Sequence, residues 1–181
     1  MTRVFPSRIT PNPSHVFMAM AFSYSSLSSD PLHPNAAIVV DKNKSIVCSG
    51  FNKLNNPKTY THSAKKDNYN WDYLNRNIAV KNALGFCIKK FLKTRAFSNS
   101  SYESLVDYKV YCAGLPTPAC VADALEAGLK DIFIGPLVPK YDYEQDLKEI
   151  NKFAELHTMK IVYVNEISSV LLDYMKVMQI N

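Results

Sequence analysis

Residues 111–130, YCAGLPTPACVADALEAGLK, decide the fold. The stretch opens as the end of an apolar strand, passes through a tight proline-bounded turn, and continues as a helix that stops at Gly128. Pro118 suits the first helical turn, where its missing N–H costs nothing. Gly128 suits the left-handed position just past a helix end. On the C-terminal side, Ile132-Phe133-Ile134 reads as a short buried strand ended by Gly135-Pro136. Residues 143–157 follow as a helix with Leu147, Ile150 and Ala154 inward, and Lys160–Val164 as a further β-branched strand. A helix between two strands of one sheet makes them parallel, with a right-handed crossover.

On the N-terminal side, residues 107–113 supply the strand that feeds the turn. Further back, Ala36–Val40 and Ser45–Phe51 flank the polar tetrapeptide Asp41-Lys42-Asn43-Lys44 and predict a hairpin. Residues 1–14 carry three prolines and read as an irregular lead-in, with Ser14 as the helix cap. From His15 to about Leu27, Phe17, Met20, Ala21 and Tyr24 share one helix face. Residues 78–92 read as another helix and 168–179 as a closing one. Residues 52–77 form a long polar loop and 93–106 a serine-rich insertion. The pattern predicts one domain over residues 15–181. It is a three-layer α/β/α arrangement with a mixed five-stranded sheet, helices on both faces and the last two strands parallel.

Composition excludes several classes. Hydrophobic residues at 47% and charged residues at 20% are ordinary globular values, enough for a sizeable core. A net charge of +5 permits a polyanionic partner without requiring one. Four cysteines without a staple-like pattern favour buried thiols in a reducing compartment over disulfides. No apolar run reaches the roughly 18 residues of a membrane span, and the N-terminus has no signal-like apolar core. A cytoplasmic protein is expected.

Several segments carry a resemblance. Pro116-Thr117-Pro118-Ala119-Cys120 occupies the frame of a P-C-x-x-C zinc clamp, and its helical continuation to Lys130 is similar to C-A-x-x-I-I-x-A-G-I-K. Asn35–Asp41 is similar to a G-A-V-I-V-D strand, and Gly50-Phe51-Asn52 to G-Y-N. Together these resemble the cytidine deaminase-like superfamily, in the branch of deoxycytidylate and tRNA adenosine deaminases, from Phe17 to about Val164. The resemblance implies that Asn52 contacts a substrate sugar; the plainer reading is an asparagine that ends a strand. It also implies an H-A-E-x-N-A-I motif, and Asn82-Ala83-Leu84 sets its register. The zinc histidine then falls on Ile78, the proton-shuttling glutamate on Val80 and the first cysteine on Thr117. Of these positions only Cys120 keeps the family's residue.

Hydrolytic deamination needs three ligands on zinc and a carboxylate to carry protons between water, ring nitrogen and leaving ammonia. A lone thiolate cannot hold the metal and valine cannot move a proton. The expectation is therefore a pseudoenzyme with no catalytic residues and no metal cofactor. It would act by binding a nucleotide or a protein partner, or as a non-catalytic subunit of a homo- or hetero-oligomer, since deaminases of this fold commonly assemble. A bland alternative stands beside it. Cys120 is also what a small buried hydrophobe would be, while branched aliphatics at 78 and 80 fit the main expectation, since they turn a former site into core.

A second expectation uses the stretch 53–73, where Lys53, Lys58, Lys65 and Lys66 interleave with Tyr60, Tyr69, Trp71 and Tyr73. Basic residues among aromatics suit a nucleotide or single-stranded nucleic acid, with Asn52, Lys53, Lys58, Trp71 and Tyr73 as candidates. They equally suit a solvated loop whose rings pack on the domain. A site relocated onto His62, Cys87, Cys112 and Cys120 is weaker, because no pair has close C-x-x-C spacing.

Overall fold

The computed structural model describes residues 12–28, 34–52, 85, 88, 107–137 and 143–164. Ile78, Val80, Lys53, Lys58, Trp71 and Tyr73 lie outside the described residues. So do most of the expected 78–92 helix, the 93–106 insertion and the closing helix at 168–179.

Three helices and five strands are described: α1 (Pro13–Ser25), β1 (Ala36–Val40), β2 (Ile46–Phe51), β3 (Lys109–Cys112), α2 (Pro118–Glu126), β4 (Asp131–Ile134), α3 (Glu144–Leu156) and β5 (Lys160–Tyr163). The strands form one sheet in the order β2-β1-β3-β4-β5. β1 runs antiparallel to both β2 and β3, whereas β3, β4 and β5 are parallel, as the helices between them require. This is the mixed five-stranded sheet the sequence predicts.

β1 is the centre of the structure. All five of its residues are buried, which fits an uninterrupted apolar run covered on both faces. Alternation along β3 then sorts the two cores. Val110 and Cys112 face α2 and α3, with Val39, Ile132, Ile134, Val121 and Ile150. Tyr111 and Ala113 face α1, with Ile38, Phe133, Phe17, Met18 and Ala21. On the α1 side the ring of Tyr111 stacks on Phe133 at 4.7 Å and meets Phe17 at 5.4 Å.

The hairpin forms as expected, with a register shift between Val39 and Val40. Asp41 Oδ1 accepts the Ser45 N–H at 2.8 Å, and Lys44 takes φ 65° to close the turn. Two details of α1 differ from expectation. The cap is Asn12, whose Oδ1 accepts the Ser14 N–H at 3.0 Å, so the helix starts at Pro13 and the lead-in ends earlier. Proline is preorganised for that first helical position, which moves the start one residue ahead of Ser14. Met20 is 41% exposed, while Met18 is fully buried. Residues 16–22 are apolar almost all round, so periodicity could not choose which face turns to the sheet.

Candidate functional site

The strands β3 and β4 both point their C-terminal ends toward the same edge of the sheet, the edge where open α/β sheets bind ligands. The antiparallel hairpin brings the start of β1 and the end of β2 to that edge as well. Among the described residues the buried polar side chains are Ser25, Asn35 and Asn52, and the two asparagines are here.

Asn35 stands at the head of β1 and joins three chain segments. Its Oδ1 accepts the N–H of Ala36 and the N–H of Gly114, each at 2.8 Å. Its carbonyl accepts the Asn52 N–H at 2.9 Å. The exits of β2 and β3 are thereby fixed to one side chain and its own backbone. Asn52 is fully buried and interacts with its surroundings, while its Oδ1 accepts no hydrogen bond among the described residues. The sequence offered Asn52 as a sugar contact or as the end of a strand, and left Asn35 as the head of a strand. The signal for it was one polar residue between Pro34 and five apolar ones, where a side-chain oxygen can take up N–H groups that the ladder leaves open.

The turn after β3 leads directly into α2. Thr117 is the cap of that helix: its Oγ1 accepts the Cys120 N–H at 3.3 Å and donates to Cys120 Sγ at 3.2 Å. The local sequence explains this. An extended Thr117 followed by Pro118 at the first helical position is a favourable helix start, and a hydroxyl three residues before Cys120 reaches its N–H. Cys120 is fully buried, as are Val121 and Ala124 one turn along the same face.

Cys112, at the end of β3, is 2% exposed and lies in the same core as Cys120. Burial, and secondarily the neighbouring Cys120, push its thiol far above the ordinary range, so it stays protonated at any physiological pH. A protonated buried thiol is not a nucleophile. No disulfide joins Cys48, Cys112 or Cys120.

The structure therefore brings Asn35, Asn52, Gly114, Thr117 and Cys120 to one end of the sheet. Among the described residues no three His, Cys, Asp or Glu side chains converge to hold a metal ion. Within this group Thr117 offers a neutral hydroxyl already engaged at the helix start, and Cys120 a buried sulfur that accepts its hydrogen bond. Zinc takes thiolate, imidazole or carboxylate ligands, and of this group only Cys120 carries an atom of that kind. No helix among the described residues is long and apolar enough to cross a membrane.

Solved structures share this architecture. The dCMP deaminase of cyanophage S-TIM5, in complex with dCMP and dUMP, superposes with a TM-score of 0.54 at 19% identity, covering 87% of this chain and 100% of that one. Guanine deaminase from Nitrosomonas europaea superposes with a TM-score of 0.56 at 10% identity, covering 100% of this chain and 97% of that one. The fold is thus that of the cytidine, dCMP and guanine deaminases. No protein-family model matches this chain, and no curated protein matches it.

Proposed function

We propose that this protein is a deaminase-fold pseudoenzyme that binds a pyrimidine nucleotide without converting it. The observation that carries the reading is the pairing of Thr117 with Cys120. At the position where the resemblance expects the first thiolate ligand, a hydroxyl caps the helix and donates to the sulfur beside it. A neutral hydroxyl supplies no charge to a zinc ion, and a sulfur that accepts a hydrogen bond is less available to one. Ile78 and Val80, where the resemblance expects the histidine and the glutamate, carry neither a ligand atom nor an exchangeable proton. With no bound water activated and no carboxylate to move its proton, hydrolytic deamination has no route through these residues.

Binding is supported by what the same edge retains. Asn35 and Asn52 are buried amides at the strand ends, in a fold whose cyanophage relative was solved with dCMP and dUMP. Buried amides there would fix the orientation of a polar ligand.

The test is metal content of the purified full-length protein together with incubation and equilibrium dialysis against dCMP. The expected result is no stoichiometric zinc, unchanged dCMP, and saturable retention of the nucleotide. One zinc per chain with dUMP produced would overturn the reading.

A further inference from the structure

We infer that Asn35 is a ligand-binding residue, its side-chain amide donating a hydrogen bond to an acceptor oxygen of the bound molecule. This rests on the nucleotide-binding reading above and assigns to it a contact that the sequence did not suggest.

The orientation of the amide is fixed by its surroundings. Two backbone N–H groups, from Ala36 and Gly114, converge at 2.8 Å on one terminal atom, which must therefore be the oxygen. The NH2 group is thereby turned the other way. It has two protons to donate, and no acceptor for either exists among the described residues. The residue as a whole is 6% exposed, and Nδ2 is not among the buried unpartnered atoms of the described residues, so the donor end of this held amide is the part open to a ligand.

Gly114 supplies the room. A Cβ built on Gly114 would stand 3.3 Å from Asn35 Nδ2 and 3.4 Å from its Cγ, tighter than ordinary contact. With glycine there, the space over the amide nitrogen is kept clear at the mouth of the turn that leads to Thr117. The group that fits is an acceptor oxygen: a base carbonyl, a sugar hydroxyl or a phosphate oxygen.

Asn35→Asp separates this role from the structural one. Aspartate keeps oxygens for Ala36 and Gly114, and two N–H donors favour its charged form. It replaces the NH2 donor with an acceptor that repels the ligand's oxygen. Gly114→Ala is the second variant, placing a methyl against the amide nitrogen while leaving the asparagine in place. Titration calorimetry on the full chain would use dCMP, deoxycytidine and inorganic phosphate, with thermal unfolding of each variant as the control for folding.

The expected result is dCMP binding by the native protein, weakened at least about tenfold in both variants. An equal loss with deoxycytidine places the acceptor on the nucleoside, and a loss confined to dCMP and inorganic phosphate places it on the phosphate. Undiminished dCMP binding by a folded Asn35→Asp or Gly114→Ala protein would overturn this inference and leave the nucleotide reading intact. No binding of dCMP by the native protein would overturn both.

Discussion

The Thr117 hydroxyl engages Cys120 twice, accepting its N–H at 3.3 Å and donating to its sulfur at 3.2 Å. One side chain thus both starts a helix and satisfies a buried thiol. Losing the methyl should matter little and losing the oxygen should matter more. Thr117→Ser is expected to keep nearly full stability, whereas Thr117→Ala should lose about 1 kcal/mol. Urea unfolding of the pair checks this, and equal losses would show that the cap does not stabilise the helix.

Asn35 carries a larger share. Asn35→Ala removes the acceptor for two N–H groups at once, one of them on the turn before α2. The expected destabilisation is about 2–4 kcal/mol, with Asn35→Asp well below it. Denaturant midpoints compare the two directly. Faster amide exchange at Gly114 in a still-folded alanine variant would locate the effect.

Gly135 tests the packing of α1 on the sheet. A Cβ there would stand 2.6 Å from the Ala113 carbonyl oxygen and 3.0 Å from both Met18 and Phe22. The nearest obstacle is backbone, so it cannot swing aside. Gly135→Ala should cost about 3 kcal/mol or fail to give soluble protein. Gly114→Ala meets only a side chain and should be milder. Thermal melts of both variants give the ranking.

Alkaline pH should weaken the fold. Burial, with Cys120 as a lesser contributor, raises the Cys112 thiol far above the value it has in an unfolded chain. The folded state then keeps its proton while the unfolded chain releases it. Stability is full below about pH 8.5 and falls as pH rises further. Burial is also the main cause of the raised Tyr111 and Tyr163 hydroxyls, which extend the decline above about pH 10. The check is urea unfolding at pH 7.5 and pH 9.5, where Cys112→Ala should show the shallower loss.

What could be read in advance followed local chemistry. The apolar runs 36–40 and 132–134, Pro118 and Gly128 each have one dominant conformational use, and each appears where expected, with Gly128 at φ 82°. Thr117 was legible as a departure from a motif, but its role as a cap needed the geometry of the turn. The rotation of α1 was not legible, because Met18 and Met20 are chemically alike and only the shape of the sheet separates them. Asn35 was hidden for a different reason. Its partner Gly114 is remote in sequence, and only the pairing of Ala37 with Cys112 brings the two together.

That pairing of β1 with β3 also bears on how the protein folds. The hairpin of β1 and β2 closes over a few residues, but β1 meets β3 only after the chain between positions 51 and 109 has been gathered in. The hairpin can therefore form early, while β3, which completes the end of the sheet that holds Asn35 and Asn52, joins late. Loop-closure entropy grows only logarithmically, so doubling the intervening length adds about 0.6 kcal/mol. The intervening segment is thus free to lengthen over evolutionary time with little thermodynamic penalty, and folding speed, set by distant contacts, would register the change instead.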